Sequence, residues 1–218
     1  SGRIKRTFVT DFDGTVTNED AGAALLRSHG HDSWVFWDWC VRIGCLSLPA
    51  AQELQWRGVS ADRDVLAESA RNSMFLRSGF RGFVDRVRAA GDDLLIVSSG
   101  FRFYIEAILG DLAKVLPIVA NDLHDSDGGK RIAWVDRRYW CAVHRPCKAV
   151  VAQRLLNHSV VALGDGLSDL CLLRSSVPLY AVRGSLLEKR GRRIGREGLS
   201  SFDTFDTVSR AEWAYVNP

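Results

Sequence analysis

The 218-residue chain has one methionine and five prolines, and it has no apolar run near the roughly 20 residues needed to cross a bilayer. A basic-then-apolar leader pattern is also missing from its N-terminus, so a cytoplasmic protein with no membrane partner is expected. Its five cysteines are odd in number, which argues against a disulfide framework and for reduced thiols. Neither charge sign dominates, since the formal net charge is only +3. Residues 183–196 carry six basic side chains and one acidic one, so the rest of the chain is slightly acidic. That basic segment lacks interleaved aromatics, so it reads as a solvated face and no nucleic-acid partner is expected.

What is present is a chain nearly half hydrophobic, enough for one large core or a core with a smaller insert. The stretch Thr7-Phe8-Val9-Thr10-Asp11-Phe12-Asp13-Gly14-Thr15-Val16-Thr17 dominates the reading. Ile4, Phe8 and Val9 look like a strand, and Gly14 lets the backbone turn away from the sheet. Asp11 and Asp13 then project from a strand's carboxyl end, where open α/β sheets bind ligands. Two adjacent carboxylates repel, and one takes up a proton unless a hard cation such as Mg²⁺ holds both. A calcium loop of the helix-loop-helix type would need glycine at its sixth position, whereas here it is fourth. Asp-Gly between threonines also suits a plain turn, but three later stretches supply what a plain turn would not need.

Residues 18–78 read as mainly helical, with hinges near Thr17–Asn18 and Ser78–Gly79. Trp34, Phe36, Trp37 and Trp39 cannot all face one side of a helix; most are expected in the core, with some forming an apolar wall toward a ligand. Asp20, Arg42, Arg57 and Arg71 are the polar candidates for reading the ligand's far end. Phe80, Phe83, Val84 and Val87 at helical spacing predict an amphipathic helix closed by Gly91.

The run Leu94-Leu95-Ile96-Val97 ending in Ser98-Ser99-Gly100 has the pattern of a strand buried on both faces, followed by a loop rich in donors. Leu116–Leu123 and Arg131–Val135, separated by Asp125-Ser126-Asp127-Gly128-Gly129, predict a small antiparallel appendage. Lys148 opens the next helix, beside an N-terminus that favours anions. The run Ser159–Leu163 then ends in Gly164-Asp165-Gly166-Leu167-Ser168-Asp169. Pro178–Val182 reads as one more strand, and the tail after Gly198 as an amphipathic finish. Strands that each deliver polar groups at the same end imply a parallel sheet with helical crossovers. Cys141, His144 and Cys147 could supply three metal ligands, but their spacing fits no standard zinc pattern and the sequence offers no evident fourth.

Together, Asp11-Phe-Asp13-Gly-Thr15, Ser98 after an apolar strand, Lys148, and Gly164-Asp165-Gly-Leu-Ser-Asp169 resemble the four motifs of the haloacid dehalogenase superfamily of phosphohydrolases. They occur in the right order across nearly the whole chain. The helical insert after the first motif is most similar to the phosphoserine phosphatase-like branch. Cap length and the hairpin before Lys148 look like the methionine-salvage phosphatases of hydroxyketo-methylthiopentenyl phosphate.

The resemblance implies an α/β fold: a Rossmann-like parallel sheet core with helices on both faces (residues 1–17 and 79–218) and a small helical cap (18–78) inserted after the first strand. It implies a phosphatase of a small phosphorylated metabolite, with Asp11 as nucleophile, Asp13 as general acid/base and Lys148 neutralising charge. Ser98, Ser99, Gly100 and Lys148 would bind the phosphate, and Asp20 the rest of the substrate. Mg²⁺ would be held by the Asp11 carboxylate, the Asp13 backbone carbonyl and Asp165, with Asp169 positioning the metal or its water. Ser99 and Asp20 replace residues usual in phosphoserine-specific members, which argues against phosphoserine and, with the tryptophans, for a larger or partly apolar leaving group. Transfer to an acceptor other than water is the alternative on the same chemistry. A non-catalytic binding module is a further alternative, disfavoured because every reactive group is present.

Overall fold

The computed structural model describes residues 5–127, 129–155 and 159–213. Ile4, expected in the first strand, and Gly128, expected in the hairpin turn, lie outside them.

Among the described residues, strands β1 (Arg6–Thr10), β2 (Asp93–Phe101), β3 (Ile118–Ser126), β4 (Gly129–Ala133), β5 (Ser159–Gly164), β6 (Leu179–Val182) and β7 (Leu199–Phe202) form one sheet. Its order is β4-β3-β2-β1-β5-β6-β7, parallel throughout except where β4 runs against β3. Phe8 and Val9 are both fully buried although they point to opposite faces of the sheet, so β1 is covered on both sides. From β1 the chain builds outward through β2 and β3, then returns to the other side of β1 with β5. That reversal opens a crevice at the carboxyl ends of β1, β2 and β5, the place where such sheets bind ligands.

Four helices lie between β1 and α5: α1 (Ala21–His29), α2 (Trp34–Arg42), α3 (Leu48–Arg57) and α4 (Arg63–Ser73), with α5 at Phe80–Ala89. Two of these starts follow local chemistry. The Asp20 side chain caps α1 by accepting from Ala23 N at 2.8 Å, and α3 follows Ser47 with Pro49 in its first turn. The segment leaves and rejoins the sheet at one place, because Thr17 and Leu76 pair in an isolated antiparallel bridge. Trp34 packs against the main core, but Phe36 and Trp39 stand about half exposed, contrary to the expectation that most of this aromatic group would be core.

The remaining helices are α6 (Arg102–Leu109), α7 (Lys148–Arg154), α8 (Leu186–Arg193) and α9 (Phe205–Trp213). Aromatic contacts tie β1 to the helices on one face: the Phe8 and Phe83 rings meet at 5.1 Å, Phe83 and Phe205 at 5.2 Å. The Arg6 guanidinium covers Trp213 at 4.9 Å.

Two further expectations change. β3 is a full member of the parallel sheet as well as one arm of the hairpin, so the hairpin extends the sheet and is no separate appendage. The tail holds an edge strand, β7, before its helix; four residues including two serines are too short and too polar for periodicity to reveal. The basic segment is the exposed face of α8, where Arg192 pairs with Glu188 at 2.9 Å. No helix among the described residues is long and apolar enough to cross a membrane.

Candidate active site

The pairing of β1 with β5 extends one residue past the strand, since Asp11 N donates to Leu163 O at 2.9 Å. This carries the Asp11 carboxylate to the rim of the sheet. The chain then tightens: the Phe12 carbonyl accepts from the amides of Thr15, Val16 and Thr17 at 3.2, 2.9 and 3.1 Å. Gly14 sits at φ +76°, and a Cβ there would strike the Asp165 carboxylate, so both backbone angle and close approach require glycine. Thr15 Oγ1 donates to Asp165 Oδ1 at 2.9 Å, joining the loop after β1 to the loop after β5.

The second loop is locked by Asp169. Its Oδ2 accepts from the amides of Asp165 and Gly166 at 2.8 and 3.0 Å, which holds the backbone that carries the Asp165 side chain. A Cβ on Gly164 would collide with the Asp169 carboxylate. Carboxylate oxygens of Asp11, Asp165 and Asp169 all lie within 4.8 Å of one another. Such hard anionic donors fit a divalent cation such as Mg²⁺ better than any soft metal. With Asp169 already holding two amides and Lys148, Asp11 and Asp165 are the members whose oxygens are available to a metal.

Lys148, at the start of α7, is only 1% exposed and stands between two carboxylates, 2.9 Å from Asp11 Oδ1 and 2.7 Å from Asp169 Oδ1. Burial alone would favour its neutral amine, but the two carboxylates outweigh that and raise its pKa, so it stays charged. It lies behind Asp11 and is not among the residues lining the cavity described below. The carboxylates respond in the opposite sense. Burial, then Asp169, pushes Asp11 up to about 7 against the pull of Lys148. Burial, then Asp11 and Asp169, pushes Asp165 up to about 9. Crowded acids of this kind take up protons unless a cation neutralises them.

Asp13 points elsewhere. Its Oδ1 accepts from Ala21 N at 3.0 Å, and its Oδ2 from the Tyr104 hydroxyl at 2.7 Å and the Ser98 hydroxyl at 3.4 Å. Burial, then the nearby Asp20 carboxylate, pushes Asp13 up to about 8. Its carboxyl group therefore sits outside the Asp11–Asp165–Asp169 cluster, in surroundings that favour its protonated form. Ser98 Oγ also accepts from Gly100 N at 2.9 Å. The Ser99 carbonyl is held from two sides, by Gln52 Nε2 at 2.8 Å and Asn121 Nδ2 at 3.0 Å.

Asp11, Asp13, Asp20, Ser98, Ser99, Gly100 and Asp165 line a single cavity of about 390 Å³ between the sheet edge and the helical segment. Trp34 and Trp56, with Leu26 and Val41, give it an apolar wall; Gln52, Gln55 and the Asp38–Arg42 ion pair, 2.7 Å long, add polar groups. Of the polar candidates, Asp20 and Arg42 reach the cavity while Arg57 and Arg71 do not line it.

Sequence reasoning missed Tyr104, Gln52, Asn121 and Arg77. Tyr104 could have been found, because it lies in the first turn of the helix after the Ser98 loop. Arg77 gives no such signal. It donates from Nε to Thr15 O at 2.8 Å and from Nη2 to Gly14 O at 2.7 Å, pinning the first loop from the far end of the helical segment.

A chain over most of its length is similar to known proteins. It is 26% identical to a 2-hydroxy-3-keto-5-methylthiopentenyl-1-phosphate phosphatase from an Exiguobacterium species, over 92% of this chain and 94% of the relative. A protein of the same name from Brevibacillus brevis is 29% identical over 94% of each. Among solved structures, a phospho-aspartyl intermediate analogue of phosphoserine phosphatase superposes with a TM-score of 0.72 at 15% identity, covering 96% of this chain and 99% of that one. This likeness supports the α/β fold with a mostly parallel sheet. The sequence profile of haloacid dehalogenase-like hydrolases matches residues 8–174, and the chain belongs to that family.

Proposed function

We propose that the chain is a Mg²⁺-dependent phosphatase of a small phosphomonoester, working through an aspartyl phosphate on Asp11. The observation that carries this is the division of labour between two acids one residue apart. Asp11 Oδ1 lies against the Lys148 ammonium at 2.9 Å, which offsets part of the push from burial and Asp169 and keeps the ionised, nucleophilic form accessible near neutral pH. Asp13, turned toward Tyr104 and raised to about 8, holds a proton it can deliver.

In the first half-reaction an Asp11 oxygen attacks phosphorus, the P–O bond to the leaving group breaks, and the Asp13 proton passes to the departing oxygen. Asp13, now ionised, takes a proton from water in the second, and the resulting hydroxide displaces phosphate from Asp11. Asp11, Asp165 and the Asp13 backbone carbonyl would hold Mg²⁺, which when bound neutralises charge on the phosphate oxygens and the nucleophile. Ser98, Ser99 and Gly100 would bind the phosphoryl oxygens, and Lys148 would offset charge through Asp11.

Residues 18–78 would act as a cap that closes the cavity and selects the leaving group. The walls from Trp34 and Trp56 favour a partly apolar substrate, in keeping with the methylthiopentenyl phosphate for which the relatives are named. Five free thiols suit a cytoplasmic setting.

Phosphate release from a panel of phosphorylated metabolites tests this, with the methylthiopentenyl phosphate and phosphoserine included and Mg²⁺ present or chelated. Release should need the metal and vanish in Asp11→Asn. Release that survives this substitution would overturn the nucleophile assignment. Phosphate appearing on an added alcohol at the expense of free phosphate would make the protein a phosphotransferase.

A further inference from the structure

The structure brings a fourth ligand to the three that the sequence left incomplete. Cys171, in the short helical turn Leu167–Arg174, meets Cys141, His144 and Cys147, and one ligand atom from each lies within 4.8 Å of all the others. Cys141 Sγ is 3.8 Å from Cys171 Sγ, and His144 Nδ1 is 3.2 Å from Cys171 Sγ. Four ligands about 2.3 Å from a central zinc have sulfurs about 3.8 Å apart by tetrahedral geometry. The loop is already wound for this. Cys141 N donates to His144 O at 3.2 Å, closing a turn, and the Val143 and His144 amides donate to Cys141 Sγ at 3.5 and 3.3 Å. His144 and Cys147 are buried, while Cys141 and Cys171 keep partial exposure, which leaves an entry path.

We propose that Cys141, His144, Cys147 and Cys171 form a closed, structural zinc site. Zn²⁺ binds as three thiols lose their protons and the imidazole coordinates in its neutral form, so no oxidant or reductant takes part. Three thiolates and an imidazole are soft, four-coordinate donors, which suit zinc and not the Mg²⁺ proposed at the carboxylates. The site joins two elements of the reaction centre: Cys147 directly precedes Lys148, and Cys171 follows Asp169 by two residues. Zinc would thus fix the separation across which Lys148 and Asp169 pair at 2.7 Å. It acts as a positioning element and touches no substrate.

The full chain, purified under reducing conditions without chelator and dialysed against excess Mg²⁺, is assayed for zinc by atomic emission. About one equivalent per chain is expected, and Co²⁺ added to the stripped protein should give the visible bands of tetrahedral thiolate coordination. Zinc should persist in Cys45→Ser and in Asp165→Asn and be lost in Cys141→Ser and Cys171→Ser. No zinc in the reduced wild type together with no cobalt bands would overturn the proposal, as would full retention in folded Cys171→Ser. The cobalt titration of the wild type decides the matter even if the cysteine variants do not fold. Because no substrate enters the measurement, its outcome is independent of the phosphatase activity.

Discussion

The Tyr104 hydroxyl donates to Asp13 Oδ2 at 2.7 Å, linking the helix after β2 to the acid two residues beyond Asp11. This bond favours the ionised form of Asp13 and so opposes the upward push of burial and Asp20. In the proposed mechanism Tyr104 thereby sets how readily Asp13 alternates between acid and base.

Replacing Tyr104 with phenylalanine removes that donor and keeps the ring. A hydrogen bond to a charged group contributes roughly 1.5–3 kcal/mol, or about one to two pH units of carboxyl pKa. The Tyr104→Phe variant should therefore show the Asp13 limb of its kcat/KM profile displaced to higher pH, with turnover at neutral pH lowered about tenfold or more. A profile with unchanged limbs would mean that Tyr104 serves packing alone.

Lys148 is held wholly inside the protein between Asp11 and Asp169. A Lys148→Met substitution leaves two facing buried carboxylates without a cation, a change that typically costs about 3–5 kcal/mol. Urea denaturation should register that loss. Adding Asp169→Asn to Lys148→Met should recover part of the stability, because one uncompensated charge is gone, and none of the activity. Equal stability of the single and double variants would contradict the electrostatic account.

The candidate site was largely legible in the sequence because its groups come in short blocks at strand ends. Asp11, Asp13, Asp165 and the Ser98 loop line one cavity, whereas Lys148 meets Asp11 outside its lining. Long-range partners were not legible. Arg77 binds backbone carbonyls, which any sequence offers, and the fourth cysteine lies 24 residues beyond Cys147, with β5 between them. Edge strand β7 and the outward-facing Phe36 and Trp39 were missed for a related reason: exposure depends on tertiary neighbours, and an apolar residue carries no mark of which neighbour covers it.

A metal held by the acidic cluster, as proposed, would make metal binding and pH interdependent. Asp165 lies at about 9 in the metal-free protein against an ordinary 3.8. Between those values the folded state holds a proton that the unfolded state has lost, so this contribution is present below the lower value and disappears as pH rises toward the upper. Mg²⁺ must displace the proton, and its affinity should rise up to about tenfold per pH unit in that window. The increase in melting temperature caused by a fixed Mg²⁺ concentration should thus be several degrees larger at pH 8.5 than at pH 6. A metal-induced shift that is flat with pH would show that the carboxylates are already ionised without metal.

Arg77 connects the end of the helical segment to the loop bearing Asp13, through Thr15 O, Gly14 O and a longer bond to Asp203 O at 3.3 Å. Its planar guanidinium spans several carbonyls at once, a geometry that a single ammonium cannot copy. Arg77→Lys should therefore behave almost as Arg77→Met does, each losing about 1.5–3 kcal/mol of stability. Because the loop also orients Asp165 through Thr15, the half-saturating Mg²⁺ concentration should rise in both variants while the KM measured at saturating metal changes little. Wild-type metal dependence in Arg77→Met would show that the loop holds its shape without this anchor, and that Gly14 and the Phe12 carbonyl suffice.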